Sequence, residues 1–391
     1  MRVLICGGGI AGLTAAHFLE RDGAEVHVVE RTTMSRPVGS MTTLYGEGIS
    51  IARAMGVLPE LEQLAHRQDS QVLHDRHGRI LRTYDLGAAH ELQRGVLTLR
   101  RSDWHRVLLD AVAPRTHLRC GATVTALQQD EGGVEVAFDD GRSDRFDLVL
   151  GADGIDSTIR GLAFPPGDHR RPLGVALATT ILDDADDLRT ELGLAPHRVH
   201  EWFLPGRYVE ITTLSPDTIA LIVVASAPPR PDRPAPAGRL AQLQEHFRDA
   251  PAVVRRVLHA VDDPELLYHG DLAQVVLPRW HHGRVVLIGD AAHALSPVLG
   301  AGGSKAMRGA RTLAAELDRT PHDPTGAATR YEADHRPAVD RLQRATRRMA
   351  GFALTANPIT ATIRRTLFTR LPERLVIRLR SAPPPGTAAP T

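Results

Sequence analysis

A chain of 391 residues is long enough for two or three structural units around a substantial core. Its formal net charge of +1, with 24% charged residues and arginines scattered along the chain, provides no basic stripe for a nucleic acid. A small molecule is therefore the expected partner. Two cysteines, Cys6 and Cys120, make neither a disulfide framework nor a metal-ligand set, so no metal is expected and a reducing cytoplasm fits. The N-terminus lacks a signal peptide's basic start and apolar core, and no apolar run approaches the roughly 20 residues of a membrane span.

In chain order, residues 3–6 form a short apolar run suited to a buried parallel strand. Leu13, Ala16, Phe18 and Leu19 then fit a helix ending near Gly23. Between them stand Gly7, Gly9 and Gly12, spaced as Gly-x-Gly-x-x-Gly. The first allows the tight turn, the second lets backbone approach a pyrophosphate, and the third lets helix pack on strand. A second strand, 25–29, ends in Glu30, whose carboxylate can accept both hydroxyls of an adenosine ribose, and Arg31 follows it. This ordered set specifies a dinucleotide, with NAD and FAD both open. Residues 70–86 read as a hairpin turning at Arg76-His77-Gly78. Arg101 opens a helix, and EGG at 131 and DDG at 139 mark further hairpins.

Residues 147–151 are a buried strand running into Gly151-Ala152-Asp153-Gly154, with Arg160 shortly after. Residues 201–226 read as two strands, followed by a proline-rich connector at 227–238. Another buried strand, 284–288, meets Gly289-Asp290 at a helix-like start, and Gly300, Gly302 and Gly303 follow Pro297. Lys305, the only lysine in the chain, falls in the first turn of the next helix. Residues 329–350 read as one long basic helix, residues 363–380 as an amphipathic one, and 381–391 as a disordered tail.

The glycine fingerprint, the Asp153-Gly154 segment and the Gly289-Asp290 segment together resemble the FAD-dependent aromatic hydroxylase family. These are single-component flavoprotein monooxygenases, similar to p-hydroxybenzoate and salicylate hydroxylases, and the resemblance runs to about residue 345. It implies an α/β fold: a Rossmann-like FAD-binding domain with an inserted β-sheet substrate domain and C-terminal helices. The FAD-binding domain would be discontinuous, at 1–70, 97–165 and 275–345. The sheet domain would take 71–96 and 166–274, and a helical cap 346–380.

The resemblance further implies FAD as cofactor and NAD(P)H as reductant. Glu30 would hold the adenosine ribose and Arg101 would reach the flavin side. Asp153 and Gly154 would serve FAD and NAD(P)H, with Arg160 supporting their turn. Asp290, beside Gly289, would meet the ribityl chain. Pro297 would flank the reactive edge, and Gly300 to Gly303 would bring backbone N–H groups to the pyrimidine end. Dioxygen would add at the flavin C4a, and the resulting hydroperoxide would hydroxylate an aromatic or polyketide-like molecule. The loop departs from the family's Gly-Gln-Gly-x-Asn, reading Gly300-Ala301-Gly302-Gly303-Ser304.

Tyr45, Trp202, Phe203 and Tyr208 are the aromatic candidates for a water-excluding cavity wall, each also suited to a core. Two readings compete for Lys305. It either stabilises the anionic reduced flavin or points to solvent from a helix start. His293 suits a packed core position. The same intermediate also serves Baeyer–Villiger insertion or oxidative cyclisation, and a reductase shares the fold. A halogenase fits poorly, because Trp202-Phe203-Leu204-Pro205 lacks a second tryptophan and the only lysine lies in the flavin loop.

Overall fold

The computed structural model describes residues 1–32, 40–87, 95–226, 235–297, 300–373 and 375–376. Most of the proline-rich connector and the tail at 381–391 lie outside these residues. The strand Arg2–Cys6 pairs in parallel with Glu25–Glu30 on one side and Leu148–Gly151 on the other. Val285–Leu287 and His117–Cys120 extend the sheet in parallel at its two flanks, and His281–His282 adds a short antiparallel edge. Val3, Leu4, Ile5, Val28 and Leu148 to Leu150 are almost wholly buried, as strands covered on both faces require. The helices Ile10–Arg21 and Gly302–Arg319 pack together against this sheet.

A second sheet of seven strands contains Ser70–His74 and Ile80–Asp85 together with five strands between Arg170 and Val275. Residues 201–226, expected as two strands, lie in three: Arg198–Leu204, Arg207–Ser215 and Thr218–Ser226. The strands reverse at Pro205-Gly206 and at Pro216-Asp217. Proline withholds a ladder donor there, and Gly206 takes φ +67, which L side chains rarely adopt. The outer face of this sheet buries Trp202, Leu204, Val209, Ile211, Leu221 and Val223. They pack against the helices Pro236–His246 and Ala252–His259, whose Leu240, Leu243, Val254 and Val257, with Phe247 after the first helix, complete that core.

The long helix spans Pro324–Ala353, beginning earlier than the expected 329 because Pro324 is favourable in a first turn and Asp323 accepts from Gly326 N at 2.8 Å. The last helix, Pro358–Arg370, is capped by Asn357, whose side chain accepts from the N–H groups of Ile359 and Thr360. It stops at Leu371 because Pro372 follows, so the amphipathic segment expected at 363–380 is broken. No helix among the described residues is long and apolar enough to cross a membrane.

Candidate active site

Three chain reversals at the carboxyl ends of the parallel strands build one cleft. The first follows Arg2–Cys6. Gly7, at φ +112, lies so close to the Ala152 carbonyl that a Cβ would collide with it, which fixes the approach of the two loops. Gly9 caps the helix Ile10–Arg21 without a side-chain hydrogen bond, and nothing lies within 4 Å of where its Cβ would be. A helix start with no side-chain cap and open space beside Gly9 leaves room for a phosphate. Glu30 Oε2 accepts from Gly8 N at 3.0 Å, while its Oε1 accepts from Thr32 N at 3.0 Å and Thr32 Oγ1 at 2.9 Å. The carboxylate is therefore pinned at the strand end beside the glycine turn. Arg31 is exposed next to it.

The second reversal follows Leu148–Gly151. Asp153 accepts from Ser157 Oγ at 2.5 Å and Ile159 N at 3.0 Å, closing the turn, and Gly154, at φ +84, faces open space. Arg160 supports more than this turn. Its guanidinium donates to Ile155 O at 2.7 Å and to Ala291 O at 2.9 Å, tying the second reversal to the third.

The third reversal is Gly289-Asp290. Gly289, at φ +57, packs against Ala11 at the base of the first helix. Asp290 is solvent-exposed, yet surrounding protein pushes its carboxyl above the usual range and the Arg101 guanidinium opposes that shift. Arg101 begins the helix Arg101–Val112, which is fixed to the glycine turn by a 2.7 Å contact between the His105 ring and Gly8 O. His105 was not among the sequence candidates, since nothing in its own helix distinguishes it.

Pro297 is exposed at the cleft, and Gly300, at φ +61, faces the Tyr45 hydroxyl. Gly302 opens onto unoccupied space, whereas a Cβ on Gly303 would strike the Trp104 ring. Ser304 Oγ accepts from Tyr45 N at 3.1 Å and so holds the strand Met41–Tyr45 against the helix Gly302–Arg319. Burial pushes the Tyr45 phenol up to about 12; Thr43 opposes the shift by a hydrogen bond and the Glu210 carboxylate adds to it. Tyr45 is a neutral donor at physiological pH.

Lys305 neither points to solvent nor stands unpartnered. It is only 5% exposed, and its Nζ lies 2.5 Å from Glu47 Oε1 on the helix Gly46–Ala54. Arg308 approaches the other Glu47 oxygen at 3.4 Å and reaches Asp334 at 3.2 Å. His293 is buried against Trp280 and His335, in line with a packed position.

The aromatic candidates separate by strand parity. Tyr208 and Phe203 are register partners on the inner face of the seven-stranded sheet, their rings 5.0 Å apart, with Phe368 of the last helix 5.5 Å from Phe203. Trp202 points the opposite way. It is stacked on His74 in the core beneath the outer helices, so it lines no part of the cleft. The inner face also carries Leu177, Ile222 and Val224 near Leu354, and Ile181 and Ala220 near Met41. Among these apolar residues stand Glu201, Glu210 and Thr212, which sequence reading missed. The signal available was Tyr208-x-Glu210-x-Thr212, a polar alternation on a strand with an apolar opposite face. Elsewhere, on the parallel sheet, Glu25, His27 and His117 bring ligand atoms within 4.8 Å of one another, and Arg2 holds Glu25 at 3.0 Å.

This cleft fits FAD. A pinned carboxylate at a strand end, a helix start free of side-chain caps, glycines facing open space and an aspartate beside Arg101 are groups that one elongated dinucleotide could meet in turn. Comparison with known proteins agrees. The FAD binding domain family matches residues 1–346. Monooxygenase CTB7 of Cercospora beticola is 30% identical over 356 residues, covering 85% of this chain and 82% of that protein. The 3-amino-4-hydroxybenzoate 2-monooxygenase PtnB3 of Streptomyces platensis is 31% identical over 362 residues, covering 88% and 87%. Klebsiella pneumoniae HpxO, solved with FAD and uric acid, shares the fold at TM-score 0.86 and 23% identity, covering 99% of this chain and 98% of that one. With that fold and that family match, the chain belongs to the FAD binding domain family and is a flavin-dependent monooxygenase.

Proposed function

We propose that the protein uses NAD(P)H and dioxygen to hydroxylate an aromatic or polyketide-like small molecule held between the inner sheet face and the loop at 297–303. In the balanced reaction NAD(P)H, a proton, O2 and R–H give NAD(P)+, water and R–OH. FAD supplies hydride acceptance and activation of dioxygen when bound. Glu30, the glycine turn and the first helix start would hold its adenosine and pyrophosphate, and Asp290 with Arg101 its ribityl side. Pro297 and the backbone N–H groups of Gly300 to Gly303 would border the ring. Asp153, Gly154 and Arg160 keep the second and third reversals in register, so that a single ligand can span them.

The observation that carries this reading is the inner sheet face. Phe203, Tyr208, Leu177, Ile222 and Val224 form an apolar wall, where water must be excluded if reduced oxygen is to reach the substrate rather than escape as hydrogen peroxide. The Lys305–Glu47 pair locks the helix behind the flavin loop, so the lysine acts on that loop's position. The test is NAD(P)H oxidation by the FAD-loaded protein with a panel of phenols and polycyclic aromatics, with peroxide release followed in parallel. A stimulating compound should gain one oxygen with its ring intact. A cyclic ketone enlarged to a lactone by oxygen insertion would assign Baeyer–Villiger chemistry instead, and NAD(P)H that fails to bleach the flavin would refute the reading.

A further inference from the structure

Glu25 and His27 stand two apart on the strand Glu25–Glu30 and so share one face of the parallel sheet. The register sets His117, first residue of the edge strand His117–Cys120, directly beside His27. The two imidazoles stack at 4.6 Å with 22° between their planes, and Phe146 meets the His27 ring edge-on at 5.4 Å. His27 Nε2 lies 2.7 Å from Glu25 Oε1. Glu25 and His117 are both exposed, so the cluster is open to solvent.

One ligand atom from each of the three residues lies within 4.8 Å of the other two. An ion at their centre would stand no more than about 2.8 Å from each, and side-chain shifts of roughly 0.7 Å would bring it to the approximately 2.0–2.2 Å of zinc with imidazole and carboxylate. The local charge favours a cation. Arg2 reaches Glu25 through Nε at 3.0 Å, but its two terminal nitrogens donate to Asp144 at 2.6 and 2.8 Å. Asp144 therefore matches the guanidinium when Glu25 turns to an ion, and the group retains one negative charge. The His117 ring makes no hydrogen bond among the described residues; its neighbours are the stacked His27 ring and, within Coulombic reach, the Glu20 carboxylate. Two imidazoles and a carboxylate are a donor set suited to zinc and its transition-metal neighbours. Counting cysteines does not register such a set, and its third ligand comes from a separate strand.

We propose that Glu25, His27 and His117 bind a divalent transition-metal ion of the zinc type, with water completing its coordination. The cluster lies toward the amino ends of the parallel strands, whereas the cleft lies at their carboxyl ends, so the ion's role is structural. It ties the edge strand to Glu25–Glu30, whose last carboxylate accepts from Gly8 N at the glycine turn.

The experiment titrates zinc ions into the tag-free, FAD-loaded protein by calorimetry. Binding should saturate at one ion per chain. His27→Ala would also remove packing against Phe146, so the exposed ligands carry the test. His117→Ala and Glu25→Gln should each weaken binding by about tenfold or more, with the flavin content of the parent retained as evidence of folding. At roughly a hundredfold excess over the parent's dissociation constant, zinc should raise the parent's unfolding midpoint by about 3 °C, and that of His117→Ala by about half as much or less. A parent that shows no saturable one-to-one binding would overturn the proposal. So would binding to both variants as tight as to the parent, which would place the ion on other histidines.

Discussion

Asp290 and His293 are three positions apart in one short turn, yet burial gives them opposite roles. Asp290 faces the cleft with Arg101, so Asp290→Ala should weaken FAD binding by about tenfold or more, read from flavin retention on dilution. His293 is 3% exposed against Trp280, so His293→Ala should leave FAD bound and lower unfolding stability by about 2–4 kcal/mol. Reversal of this order would reassign the turn. Buried histidines also set the response to acid. Burial lowers His293 to about 4, and burial with the nearby His74 and Arg198 lowers His200 to about 4. Below pH 6.5 the unfolded chain takes up these protons while the folded chain does not, so stability is lost as pH falls from about 6.5 toward 4. Each should contribute about 2 kcal/mol to the difference between urea unfolding at pH 7 and at pH 5, and a flat profile across that window would contradict their burial as neutral rings.

At the scale of elements, the helix Gly302–Arg319 follows the glycine-rich loop at 300–303 and is docked by two contacts that its own sequence does not reveal. Ser304 receives the backbone N–H of Tyr45, and Lys305 pairs with Glu47. A buried pair costs most when half of it is removed, although Arg308 remains near Glu47 and softens the loss. Lys305→Met should therefore destabilise the protein by about 2 kcal/mol. Combined with Glu47→Gln it should cost clearly less than the sum of the two single changes, measured as a double-mutant cycle of thermal unfolding. Additive losses would show that the pair is not an energetic unit. Strand parity acts at the same scale. Trp202 and Phe203 are equivalent candidates in the sequence, but one position of alternation sends the first into the outer core and the second toward the cleft.

Across the whole molecule, the last helix closes one end of the seven-stranded sheet. Arg82 donates to the carbonyls of Phe368, Thr369 and Leu371, and Tyr84 donates to Phe368 O. Arg364, lowered to about 10 by burial, donates to Phe352 O at 3.1 Å and to Ala353 O, and stacks over Phe203 at 4.8 Å. Ending the chain after residue 356 would expose Phe203, Leu73 and Tyr84 to water. The truncated protein should still bind FAD, because the FAD binding domain match ends at 346, but a larger share of the NAD(P)H electrons should leave as hydrogen peroxide. An unchanged peroxide share would mean that the cap takes no part in keeping the cleft dry.

The glycine turn with Glu30, the Asp153-Gly154 turn and the Gly289-Asp290 turn were legible in the chain itself. Each is a local strand-turn-helix problem whose steric demands only a few residue types meet, and together they determine the parallel sheet and its FAD cleft. Residues 201–226 hold three strands rather than two, although turn residues at Pro205-Gly206 and at Pro216-Asp217 mark both reversals. Other features depended on partners far away in sequence. Glu47 for Lys305, Gly8 for His105 and Ala291 for Arg160 are brought close only by packing. Register alone places Glu201 opposite Glu210, and the helices over the outer sheet face decide which side chains that face buries. Local sterics are written in neighbouring residues, whereas side-chain pairing and the choice of face depend on how distant segments exclude water together, and that is settled only in the folded molecule.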